Sequence, residues 1–182
     1  MNKVLVGGAV VGVIYSAVGF PSKIRGRSMT PTLNPDDSKY SDYIWMSKLG
    51  SQQFKYQRGN VVCLVSPKDP KERLIKRIIA LEGDTVKTLA YKNRQVTIPE
   101  GHCWVEGDSK YRSCDSNIFG AISMGLIQGR ATHIIWPPSR IQRLDNRYPE
   151  ERVQIPPDSK HIPTSNPSLG TSKHSILANE KE

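Results

Sequence analysis

Residues 4–20 (VLVGGAVVGVIYSAVGF) carry no charge, and Pro21 closes the run. No other stretch limits the fold so strongly, because an apolar segment without a polar stripe has few stable places in water. As a helix it is just long enough to cross a thin bilayer. A cleaved signal peptide is one alternative, but the chain continues as KIRGRSM, so a cut there falls almost on Ser28. A buried core helix is another, and such a helix ordinarily shows a polar side. The reading adopted is an uncleaved N-terminal membrane anchor over residues 1–21. Within it Gly8 and Gly12 form one GxxxG, a spacing that lets a second helix approach closely. The flanking charges, Lys3 before the run and Lys23, Arg25 and Arg27 after it, favour retention of the bulk of the chain on the cis side.

Beyond Pro21 the punctuation changes. The 14 glycines and 13 prolines break the chain into short pieces, which leaves room for strands and turns rather than long helices. Strand-like pieces fall at 42–47 (DYIWMS), 61–65 (VVCLV), 73–80 (RLIKRIIA), 85–89, 95–98, 102–106 and 131–136. Turn signals separate them at Asn34-Pro35, at 58–60, 67–70, 82–84 and 99–101. The pattern predicts a mainly β domain over residues 22–148, a barrel or sandwich-like sheet. From residue 149 the chain turns polar and rich in Pro and Ser, which predicts a disordered tail over 149–182.

A net charge of +9 suits an anionic partner, either nucleic acid or a lipid surface, yet the basic residues are scattered and read more simply as a solvated basic surface. Three cysteines at wide spacing argue against a disulfide framework. No CxxC pair or Cys/His cluster has the spacing of a zinc site. The four histidines are isolated.

Three features carry chemistry. Ser28 sits in GRSMTPTL, where Gly26 permits a sharp turn and Pro31 sets its exit; read locally, it is one turn serine. Lys76 sits in LIKRII, where Leu74, Lys76, Ile78 and Ala80 share one strand face. A lysine on an apolar face is unusual, since burial disfavours the ammonium and lowers its pKa. Such an amine is able to take a proton from a serine, which the permanently charged Arg77 is not. The plainer reading is an edge lysine that snorkels to water. The third feature is the loop GDSKYRSCDSNIFG at 107–120, which alone reads as a polar turn and lacks the carboxylate spacing of an EF-hand.

Taken in order, RSMTPTLNP, RGNVVCLVSP, LIKRIIALEGD and WVEGDSKYRSCDSNIFG resemble the type I signal peptidase family with its Ser/Lys dyad. The run THIIWPP is similar to the mitochondrial inner membrane branch of that family, subunit 2 type. The resemblance covers the chain from the apolar run to about Pro138. It implies a signal-peptidase-like antiparallel β-sheet or barrel core tethered by one N-terminal transmembrane helix. It matches Ser28 to the nucleophile, Lys76 to the general base, Ser113 to a serine that orients the lysine amine, and Asp115 to an acid that supports the loop. Gly26 departs from the Ser or Thr that gives many bacterial relatives a side-chain oxyanion donor, Ser109 from the Asn of GDN, and Asn117 from the Arg that often follows DS.

The resemblance implies a serine endopeptidase that removes sorting presequences and needs no metal and no cofactor. Its implied partners are presequence-bearing substrate proteins, inner-membrane lipid and a related peptidase subunit 1 in a heterodimer; nucleic acid is not among them. It implies a catalytic domain facing the intermembrane space, against the flanking-charge bias. Two readings from other classes remain beside it: a non-catalytic partner subunit that stabilises an active peptidase, and a basic membrane-tethered binding module.

Overall fold

A computed structural model of the chain describes residues 19–48, 55–109, 113–157 and 159. Most of the apolar run and most of the tail, the expected anchor and disorder included, lie outside these residues. No helix among the described residues is long and apolar enough to cross a membrane.

The described chain is mainly β, as the punctuation predicts. Its larger sheet has eight strands, all antiparallel: β1 (Gly19–Lys23), β2 (Tyr43–Ser47), β3 (Val61–Val65), β4 (Arg73–Leu81), β7 (His102–Glu106), β8 (Ile122–Ser123), β9 (Ile127–Trp136) and β10 (Gln142–Arg143). The order is β1-β2-β9-β3-β4-β7-β8, with β10 added on β9. The path ends at β1 and β8, which do not pair with each other, so the sheet is open rather than a closed barrel. A smaller sheet pairs β5 (Thr85–Lys87) with β6 (Gln95–Thr97) and β11 (Val153–Gln154). The one α-helical turn among the described residues is α1 (Ser116–Phe119).

Two sequence boundaries move. Gly19, Phe20 and Pro21, assigned to the anchor, belong to β1, which is hydrogen-bonded to β2 through the register Gly19↔Ser47 to Lys23↔Tyr43. Backbone pairing at the sheet edge, invisible to hydropathy, claims the end of the apolar run. Residues 150–154, assigned to the disordered tail, form a 3-10 turn (Glu150–Arg152) and β11. Val153 is buried against Val86, Ile98 and Trp104, so one apolar side chain with a waiting pocket orders an otherwise polar stretch.

Three apolar clusters hold the sheets. Val62, Leu64, Ile78, Leu81, Val105 and Ile122 make the first. Ile24, Met29, Leu33, Ile44, Met46, Val61, Ala131 and Ile134 make the second. Alternation along β3 supplies both, Val61 to one and Val62 and Leu64 to the other. The third, around Trp104, seats the smaller sheet on β4. The face expected for Leu74, Lys76, Ile78 and Ala80 holds only as far as Ile78. A bulge between Ile78 and Ala80 reverses the alternation, so Leu81 joins the first cluster and Ala80 the third.

Two recognised motifs meet in the core. Arg58 of RGN pairs with Asp84 of EGD through Nε–Oδ2 at 2.7 Å and Nη2–Oδ1 at 2.5 Å, with both side chains buried. Asp84 Oδ2 also accepts from the Leu81 amide at 2.8 Å. These residues position strands rather than chemistry.

Candidate active site

The turn carrying Ser28 is built by its neighbours on both sides. Gly26 has φ +79°, a left-handed conformation that suits glycine, and it reverses the chain after β1. Met29 and Leu33, four residues apart, are buried in the second cluster, and the Leu33 amide donates to the Met29 carbonyl at 2.8 Å. Asn34 closes the turn: its side-chain amide donates to the carbonyls of Ile24 and Gly26, each at 3.2 Å. Asn34 and Asp42 exchange bonds, Asn34 N to Asp42 Oδ2 at 2.9 Å and Asp42 N to Asn34 Oδ1 at 2.7 Å. Asp42 is fully buried and takes Arg140 on both oxygens, at 2.9 and 3.0 Å. Asn34, Asp42 and Arg140 went unnoticed as site residues in the sequence, where Asn34-Pro35 reads only as a turn.

Lys76 comes from the middle of β4, opposite Val62 of β3. It is 2% exposed, and its Nζ lies 2.9 Å from Ser28 Oγ and 3.0 Å from the Ile75 carbonyl. The snorkelling alternative therefore fails. Burial pushes the Lys76 amine below the ordinary lysine value; Asp115, Cys114, Glu72 and Asp108 pull it back up without cancelling the effect. Arg77 points to the other face, as strand alternation requires. Its guanidinium holds Asp108 at 2.8 and 2.7 Å and donates to the Gly59 and Asp145 carbonyls at 2.8 and 2.9 Å. One residue of the pair faces the serine and the other fixes the loop beside it.

That loop begins at Gly107, directly after β7. The Ser109 amide donates to the Ser28 carbonyl at 3.0 Å. A Cβ on Gly107 would sit 2.4 Å from the Ser28 carbonyl oxygen and 2.3 Å from Ser113 Oγ, so the loop and the nucleophile turn touch through a position only glycine fills. Asp115 is buried and caps α1, accepting from the Asn117 amide at 3.0 Å, and it accepts from the Gly107 amide at 3.0 Å. The Asn117 side chain adds a bond of 3.2 Å, so neutral amides stand where the resemblance implies an arginine. Ser113 is brought into the same loop, with its hydroxyl buried and without a hydrogen-bond partner among the described residues; the Lys76 amine bonds to Ser28 and Ile75 instead.

A cavity of about 570 Å³ lies behind the loop, lined by Glu106, Gly107, Ser113, Asp115, Asn117 and Arg152 among others. Neither Ser28 nor Lys76 lines it. The three cysteines are free thiols; Cys103 is buried and its pKa is pushed up to about 12 by burial. Among the described residues, no group of His, Cys, Asp and Glu is placed to hold a metal ion. The arrangement is thus a hydroxyl and a desolvated amine in direct contact, backed by a braced loop, so the amine is within reach of the hydroxyl proton.

The profile of the family described as "Signal peptidase, peptidase S26" matches residues 1–98 and 87–136. A mouse (Mus musculus) protein named mitochondrial inner membrane protease subunit 2 is 50% identical over 134 residues, 74% of this chain and 77% of that protein. A zebrafish (Danio rerio) protein of the same name is 44% identical over 155 residues, 82% of this chain and 85% of that protein. A human (Homo sapiens) protein named mitochondrial inner membrane protease subunit 1 is 37% identical over 136 residues, 72% of this chain and 78% of that protein.

Proposed function

We propose a mechanism from one premise: the chain belongs to the signal peptidase family, peptidase S26. It is a membrane serine endopeptidase that processes presequences, and its relatives' names place it with the proteases of the mitochondrial inner membrane. Ser28 is the nucleophile and Lys76 the general base. The observation that carries this assignment is the 2.9 Å contact between Lys76 Nζ and Ser28 Oγ at an amine only 2% exposed.

The neutral Lys76 amine takes the Ser28 proton as Oγ attacks the scissile carbonyl. The carbonyl oxygen gains negative charge and is met by main-chain donors, the Ser28 amide first, because Gly26 offers no hydroxyl beside it. The C–N bond then breaks, the departing amine takes the proton back from the Lys76 ammonium, and the presequence residue remains as an ester on Ser28. Water, deprotonated by Lys76, cleaves that ester and returns both side chains to their starting states. Ser113 is assigned as the third polar group: its unpaired buried hydroxyl supports the Lys76 ammonium once the proton has moved. Asp115 holds the loop through the Gly107 amide.

The finer placement belongs to the same reading: a single N-terminal span, a catalytic domain in the intermembrane space, and a heterodimer with a subunit 1 relative. Support comes from the apolar run before β1 and from the family likeness between the two subunit types. The test is a comparison of mature N-termini in mitochondria carrying the parent, Ser28→Ala, Lys76→Ala or Ser113→Ala chain. Ser28→Ala and Lys76→Ala are expected to leave the same presequences uncut, and Ser113→Ala to slow their removal. Normal processing by a folded Lys76→Ala chain overturns the dyad.

A further inference from the structure

We propose that Arg152 is a positioning residue for the Ser28–Lys76 pair, acting through Glu106, Asn117 and Asp115 on the Gly107 turn against which Ser28 rests. The proposal deepens the assignment of Ser28 and Lys76 and rests on it.

The argument starts at Glu106, the last residue of β7 and the one before Gly107. Its side chain is buried, and a buried carboxylate needs both a counter-charge and a full set of donors. Oε1 accepts from Trp104 Nε1 at 2.9 Å, Asn117 Nδ2 at 3.1 Å and Arg152 Nη1 at 3.2 Å. Oε2 accepts from Arg152 Nη2 at 2.5 Å. Trp104 and Asn117 are neutral, so the balancing charge in this set comes from Arg152. The guanidinium also donates to the Lys87 carbonyl at 3.2 Å, which ties the 3-10 turn at residues 150–152 to the end of β5.

From Glu106 two routes lead to the nucleophile. One is covalent, because Glu106 is followed by Gly107, where an added Cβ would lie 2.4 Å from the Ser28 carbonyl oxygen and 2.3 Å from Ser113 Oγ. The other runs through Asn117, whose side-chain amide is shared between Glu106 at 3.1 Å and Asp115 at 3.2 Å. Asp115 in turn holds the Gly107 amide at 3.0 Å. Asn117 is itself kept in place by the Leu89 and Ala90 amides, which donate to its Oδ1 at 2.9 and 3.3 Å. Both routes converge on the Gly107 turn, which meets the Ser28 carbonyl at Gly107 and through the Ser109 amide.

Without Arg152, Glu106 is a buried carboxylate facing a second one, Asp115, across a single shared amide. The pair relieves that repulsion by moving apart, and this reapportions the Asn117 amide. The Gly107 turn follows, and a displacement of well under 1 Å at a nucleophile is enough to slow attack. The displacement acts at the attacking Ser28, so the effect is expected on kcat.

The test uses the full chain in detergent or liposomes with a presequence peptide, comparing the parent with Arg152→Met, Glu106→Gln, the double variant and Ser28→Ala. Arg152→Met is expected to lower kcat by about tenfold or more with KM changed less than about twofold. Labelling of Ser28 by an acylating probe slows in parallel. In the double variant the buried charge is gone with its partner, so most of the lost kcat returns. A folded Arg152→Met chain with parental kcat overturns the proposal, as does a double variant no faster than Arg152→Met. Should Arg152→Met fail to fold, the double variant decides: kcat within about threefold of the parent supports coupling through this pair, and a larger loss overturns it. Cleavage by Ser28→Ala overturns the nucleophile assignment instead, which separates the two failures.

Discussion

A lysine amine buried away from water is a poorer cation than the same amine in solution, and at residue 76 this has consequences for rate and stability. Lys76 accepts a proton only when neutral, so kcat rises with pH through its pKa. Burial lowers that pKa, so the limb of the pH–rate profile is expected below the ordinary lysine value of about 10.4. Asp115 opposes the shift, so Asp115→Asn is expected to move the limb further toward acid, measured as kcat against pH. The stability effect has a definite sign. The unfolded chain binds the Lys76 proton more tightly than the folded one, so the buried amine destabilises the fold fully below its folded pKa. That penalty lifts as pH rises toward about 10.4. Lys76→Met, which fills similar space without charge, is expected to abolish cleavage yet raise Tm. The gain is greatest in acid and vanishes above about pH 10.4. A Tm gain that grows with pH would contradict this account.

At the scale of elements, the site is a meeting of three pieces: the turn after β1, the middle of β4 and the loop after β7. The first is held by Asn34 and Asp42, the second by strand register, the third by Asp115 and Arg77. Gly107 is where the first and third touch. Gly107→Ala puts a methyl 2.4 Å from the Ser28 carbonyl oxygen, too close for contact, and backbone yields less readily than a long side chain. The expected result is a loss of about 1–3 kcal/mol in stability with a larger relative loss in kcat, read by denaturant unfolding and peptide cleavage. A fully active Gly107→Ala chain would mean that the loop moves freely against the nucleophile turn.

For the molecule as a whole, residues 150–154 are part of the fold, and Ser159 accepts from Arg58 at 3.2 Å. A chain ending at Pro149 loses β11, the buried Val153 and the Arg152–Glu106 pair. It is expected to be less stable by about 3 kcal/mol, a fall in Tm of roughly 6–12 °C by thermal melting. A truncated chain that melts with the parent would return this segment to the tail. Much of the protein was legible beforehand. Short apolar runs between Gly and Pro announce a mainly β domain because strand propensity and turn chemistry are local. Read locally, Ser28 is one turn serine and Lys76 one oddly placed strand lysine; the order of the surrounding motifs and the family resemblance they carry singled the two out. What the sequence left open was decided by distance across the fold. The contact between Ser28 and Lys76, the Asn34–Asp42–Arg140 brace, the bulge at Ile79 and the placing of Arg152 on Glu106 join residues far apart in the chain. Propensity acts over a few neighbouring residues; packing and charge pairing act between whichever residues the sheet brings together, so the sequence marked the longer strands of the domain and, through its motif order, the Ser28 and Lys76 pair, while only the tertiary structure decided the edge strands and what holds that pair.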